Sequence, residues 1–121
     1  MNRLIACGLL ASMLVLVGGC GPSLEQQRRS ATAKFELLQL EQAEAQFKEI
    51  LDRHPADSLS YYYMGRICHA QKRYAAATYN YQCAVSHDPS NAQARHWLDR
   101  CVEESGQDAT TLFVPKTKLM N

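Results

Sequence analysis

The side chains best able to do chemistry in this chain are thiols and imidazoles. Cys68 adjoins His69, and Cys83 stands four residues before His87. Thiolate and imidazole together suggest a metal, but closed zinc sites take two tight ligand pairs with four usable side chains. Neighbours on a helix point in different directions, so Cys68 and His69 cannot share an ion. No metal site is expected. No serine, histidine and aspartate arrangement, glycine-rich phosphate loop or pair of catalytic carboxylates stands out, so neither an enzyme nor a cofactor is expected.

Cys20 offers a different chemistry. The chain opens Met1-Asn2-Arg3, runs without charge from Leu4, and reaches Val17-Gly18-Gly19-Cys20. A cationic start, an apolar run too short to span a bilayer and a small-residue break describe a secretory signal over residues 1–19. Val17 to Cys20 is similar to a bacterial lipobox, which implies acylation of the Cys20 thiol, cleavage before it and acylation of the new amino terminus. An ordinary signal peptide cut nearby, or an uncleaved anchor, is the alternative. Two or three acyl chains anchor stably, since each buried methylene contributes about 0.8 kcal/mol. Gly21 stands where an Asp would resemble an inner-membrane retention signal. The expected location is therefore the periplasmic face of the outer membrane, or the cell membrane of a host with only one.

Removing the signal takes Arg3 from the 13 Lys and Arg, which leaves them balanced against the 12 Asp and Glu. Such a chain has no electrostatic footprint for nucleic acid and no polybasic tether. Lipid, and not charge, would hold it to a membrane.

The elements that position these residues follow a period of 34. Leu40 recurs as Tyr74, Ala43 as Ala77, Phe47 as Tyr81, Ile50 as Ala84, Pro55 as Pro89 and Ala31 as Gly65. Ser23-Leu24-Glu25-Gln26 has the form of a capping box, and it starts a helix carrying Ala31, Phe35, Leu37, Leu38 and Leu40. The polar turns from Glu25 to Ser30 are expected to form a stalk of roughly 10 Å. A second helix spans about 41–53, closed by Pro55, a third about 58–71, and a fourth about 74–87. A fifth starts at a Ser90 to Gln93 capping box and turns Ala94, Trp97, Leu98, Cys101 and Val102 inward. Gly106 is expected to stop it. In the remaining 106–121, Thr110 to Val114 is β-prone, so this tail is expected to be disordered or extended.

A 34-residue period with small residues, aromatics and a closing proline at these offsets resembles the tetratricopeptide repeat. Residues 58–91 fit closely, with Tyr61, Met64, Gly65, Tyr74, Ala77, Tyr81, Ala84 and Pro89 on signature positions. Cys68 stands where an aromatic is usual. Residues 24–57 fit in their second helix only, since Gln27, Ser30 and Lys34 replace large apolar residues. Residues 92–105 supply a capping helix, with Asp99 where a small residue is usual. The resemblance implies an all-α solenoid of two helix pairs plus a cap, tethered through residues 20–23. On neighbouring parallel helices Cys68 and Cys101 would lie level, but helices pack about 8–10 Å apart and a disulfide wants Cα atoms within about 7 Å. Three buried free thiols are expected, and a Cys68–Cys101 bridge stays open.

The resemblance also implies a concave groove lined by the first, third and fifth helices. That face carries Arg28, Thr32 and Phe35, then Leu59, Tyr62, Arg66 and His69, then Gln93, His96 and Arg100. Phe35, Tyr62, Arg66, His69, His96 and Arg100 are the candidate contacts. They suit a segment with an acidic group and an apolar anchor, because Arg pairs bidentately with carboxylate and rings supply contact area at low entropic cost. The function expected is a lipid-anchored adaptor that binds an envelope protein or peptide in secretion, pilus or cell-wall assembly. The alternatives are a permanently buried structural subunit of an envelope complex and a redox or metal-handling lipoprotein built on the cysteines.

Overall fold

The computed structural model describes residues 21–110, with side chains described as far as residue 106. The signal and lipobox, and the β-prone Leu112-Phe113-Val114, lie outside the described residues. Five helices follow one another: α1 Leu24–Glu36, α2 Leu40–Arg53, α3 Ser58–Ala70, α4 Tyr74–His87 and α5 Ala92–Thr110. Each packs on the next, and α1 also touches α3 as α3 touches α5. Short connections of this kind force successive helices antiparallel. The result is an all-α, solenoid-like stack in which α1, α3 and α5 form one layer and α2 and α4 the other.

The 34-residue period extends to backbone geometry. Leu38 and Lys72 both adopt φ 58°, and the residues that follow them, Gln39 and Arg73, have φ −82° and −85°. Their amides close the same bonds one period apart: Gln39 N–H donates to Lys34 O, and Arg73 N–H donates to Cys68 O. At the other end Ser23, Asp57 and Asn91 each accept from the amide three residues on, which places a cap before α1, α3 and α5. The Ser23–Gln26 capping box is present in both directions. The cap expected at Ser90 falls instead to Asn91, because Asp88 Oδ1 accepts from Ser90 and holds it in the preceding turn.

Leu37 and Leu38 differ from expectation. They are 70% and 79% exposed in the α1–α2 turn, not on an inner face. Left-handed backbone at position 38 ends the helix before the apolar period can continue, and a β-carbon in that region costs about 1 kcal/mol. Leu38→Gly is therefore expected to stabilise the fold by roughly 1 kcal/mol, read as a rise in the urea midpoint.

Two side-chain clusters form the core. Ala31, Ala43, Phe47, Ile50, Met64 and Ile67 fill the space among α1, α2 and α3. Tyr62, Cys68, Ala77, Tyr81, Ala84, Ala94 and Cys101 fill that among α3, α4 and α5. Tyr63 packs against both: its ring stacks on Phe47 at 5.2 Å and meets Phe35 and Tyr62 edge-on. Gly65 lets α3 lie directly against the Tyr81 ring of α4. A β-carbon there would lie 2.5 Å from the Tyr81 ring.

The start of α1 is no free stalk. Leu24 packs against the first cluster, Ser30 donates to Gln46 on α2, and Arg28 pairs with Asp57 ahead of α3. Polar residues there have nearby partners on α2 and the α2–α3 turn, so the helix docks along its whole length. Ser30 is the repeat-mate of buried Met64, yet it is exposed. It lines an open cleft with Gln26, Gln27, Gln46, Glu49 and Arg53. The far end is equally polar. Arg95, Asp99 and Val102 hold the positions at which Tyr61, Gly65 and Cys68 meet α4, and all three are exposed. Val102, read as inward, is 53% exposed because no sixth helix covers that side among the described residues.

The fifth helix also runs through Gly106 to Thr110. Glycine inside a helix costs only about 1 kcal/mol, and Gly106 takes no left-handed conformation that would end it. Among the described residues no helix is long and apolar enough to cross a membrane.

Candidate functional site

Five ring systems and two guanidinium groups meet where α1, α3 and α5 lie side by side. Arg66 on α3 is at the centre. Its guanidinium carbon lies 3.9 Å from the Trp97 ring centroid on α5, 5.5 Å from Phe35 on α1 and 5.8 Å from Tyr62. Its Nη1–H donates to the Tyr62 hydroxyl at 2.8 Å. Arg100 lies over the same indole at 4.9 Å. Guanidinium over an aromatic face is a favourable contact, strongest on tryptophan.

Repeat geometry explains why these groups converge. Phe35 and Tyr63 meet edge-on at 5.4 Å, and their mates one period later, His69 and Trp97, meet edge-on at 5.5 Å. Trp97 thus repeats the place of Tyr63: it packs against the second core cluster, as its inner-face assignment expects, and it also carries Arg66 and Arg100, which sequence reasoning missed. The available signal was the offset of 34 between Tyr63 and Trp97. With no further helix beyond it among the described residues, the indole stays half-buried and carries the two Arg side chains.

No family model, no curated protein and no solved structure matches the chain. The site must therefore be read from its own geometry.

Of the six candidate contacts, Phe35, Tyr62, Arg66 and Arg100 join this cluster directly, and His96 flanks it, 6.0 Å from the Trp97 ring. Tyr62 is 5% exposed, because Tyr63, Tyr81 and Arg66 crowd its ring. His69 is also covered, its side chain 9% exposed. Its Nε2 lies 2.6 Å from Glu104 on α5, its Nδ1 faces the Tyr81 hydroxyl, and the Tyr74 and Trp97 rings meet it edge-on. The hydrogen bond with His69, helped by Arg100, holds the Glu104 carboxyl below the usual carboxylate range. His69 therefore fastens α5 to α3, and Arg100 is tied to the same carboxylate at 3.1 Å.

Elsewhere on this face Arg28 is bound to Asp57. Arg29, Arg53 and Arg73 pair with Glu25, Glu49 and Glu44. Among the described residues only Arg66 and Arg95 have no carboxylate partner, and Arg95 is exposed away from the rings.

The thiols lie apart from this chemistry. Cys68 and Cys101 are buried in one cluster yet unbridged, and Cys83 is half-buried. Burial pushes the Cys68 thiol up, which makes it less reactive at neutral pH. His87, four residues after Cys83, stacks its ring on Tyr61 at 5.5 Å. Among the described residues no three His, Cys, Asp or Glu side chains gather as metal ligands.

Proposed function

We propose that this chain is a membrane-tethered adaptor of tetratricopeptide-repeat type, which holds a segment of an envelope protein across the face formed by α1, α3 and α5. Tethering rests on the lipobox-like Val17-Gly18-Gly19-Cys20. The repeat assignment rests on the 34-residue period, which governs caps, turns and ring contacts alike. One observation carries the binding role: Arg66 is cradled by rings from three helices, with no carboxylate of the described chain to neutralise it. Cradles of aromatic and Arg side chains are typical of binding hot spots.

Photocrosslinking in living cells tests this reading. A photoreactive ring in place of Phe35, at one edge of the cradle, or a photoreactive residue at His96, which flanks it, is expected to give a discrete adduct with another envelope protein. The same group at Lys48, exposed on α2, is expected to give none. Equal yields at all three positions, or adducts only with the chain itself, would rule the adaptor out.

A further inference from the structure

The pairing of charges on this face fixes more than the presence of a site. Taking the adaptor reading as its basis, we infer that Arg66 receives one carboxylate, from an internal Asp or Glu side chain of the bound segment, with an apolar side chain on either side of it.

The single charge follows from what is already neutralised. Arg28 is committed to Asp57. Arg100 and His69 both face Glu104. A run of acidic residues would meet Glu104 beside Arg100 and find Arg28 already paired, and so gain little beyond its first carboxylate. Among the arginines of the ring cluster Arg66 alone lacks a carboxylate: of the five N–H groups of its guanidinium, one goes to Tyr62 and no other has an acceptor among the described residues. Its planar fork suits two parallel hydrogen bonds to a carboxylate.

The position of the charge within the segment follows from the helices. Arg66 stands on α3, the middle element of its layer, with Phe35 on α1 to one side and Trp97 on α5 to the other. A ligand that occupies both flanks must continue past the cation in both directions. A chain terminus would leave one ring uncovered.

Trp97 is the only tryptophan, so its fluorescence reports on the cradle directly. The full-length protein in detergent micelles would be titrated with N-acetyl-leucyl-glutamyl-leucinamide and with its glutaminyl counterpart. The glutamyl peptide is expected to bind at least about tenfold more tightly, since hydrogen bonds to a charged group exceed neutral ones by that order. Arg66→Gln is expected to abolish the difference, Arg66→Lys to keep part of it, and Arg95→Gln to leave it unchanged. Circular dichroism would show that each variant is folded.

Four results would overturn the inference. Equal binding of the two peptides, or no binding of either, would remove the carboxylate seat. Tighter binding of N-acetyl-triglutamyl amide would show a polyanion site. Tighter binding of N-acetyl-leucyl-glutaminyl-leucine, whose only charge is its terminal carboxylate, would show that a chain end is read. Crosslinking at Phe35 and His96 is independent of these titrations. An adduct without peptide binding would leave the adaptor intact and remove only this specificity.

Discussion

Gly65→Ala is expected to destabilise the fold by about 2–3 kcal/mol, although alanine is the better helix former by about 1 kcal/mol. The added carbon would lie 2.5 Å from Cδ1 and Cε1 of Tyr81. That ring cannot yield, because Tyr81 is fully buried, with Ala77 and Ala84 beside it on α4 and Cys68 beside it on α3. The α3–α4 pair must therefore spread, loosening every contact along it. Urea denaturation followed by circular dichroism would measure the loss. A change of less than 0.5 kcal/mol would mean that the two helices approach less closely than the structure has them. Ala31 holds the same position on α1 and is fully buried without conflict; there the facing ring on α2 is Phe47.

Asp57→Ala is expected to cost about 3 kcal/mol, at the lower edge of the range for breaking a buried ion pair because Arg28 keeps partial access to water. This one carboxylate caps α3 through the Ser60 amide, accepts from the Ser60 hydroxyl and receives Arg28 from α1. Asp57→Asn keeps the capping oxygen and should lose only part of the stability. The pH dependence separates the two contributions further. Burial alone would raise the Asp57 pKa, but hydrogen bonds from Arg28 and Ser60 outweigh it and leave the carboxyl below its usual value. A carboxylate depressed on folding stabilises fully above its unfolded pKa, and that contribution disappears as pH falls through the folded pKa. The wild-type protein should therefore lose stability in acid below the ordinary carboxylate range. The Asp57→Asn variant should show a shallower loss, read from denaturation midpoints across that window.

Arg28 and Asp57 also mark where sequence reasoning stopped. The period of 34 was visible because helix–helix packing demands small residues at fixed places, and Gly65 against Tyr81 is that demand in its strictest form. Helix ends were legible where a proline or the Ser23 capping box specified them, whereas the cap expected at Ser90 lies one residue on, at Asn91. They were not legible at Leu37 and Leu38, where apolar residues continue past a left-handed turn, nor at Gly106, where nothing else supports a stop. The candidate contacts followed from facing direction alone, and facing direction does not give cover. Tyr62 faces the expected way yet is buried by neighbouring rings, and His69 is closed over by Glu104 from α5. Pairing across 29 or 35 residues, as in Arg28–Asp57 and His69–Glu104, has no local signature in the chain.

Tyr63 has a consequence for how this short array behaves as a whole. Long helical repeats hold together through nearest-neighbour interfaces, and they fray from their ends one unit at a time. Here a single ring belongs to both interiors, stacked on Phe47 of one and set edge-on to Tyr62 of the other. Neither half can open without uncovering the phenol that the other half needs. The two clusters thus share one ring, and Tyr63→Ala is expected to loosen both of them together, not one alone.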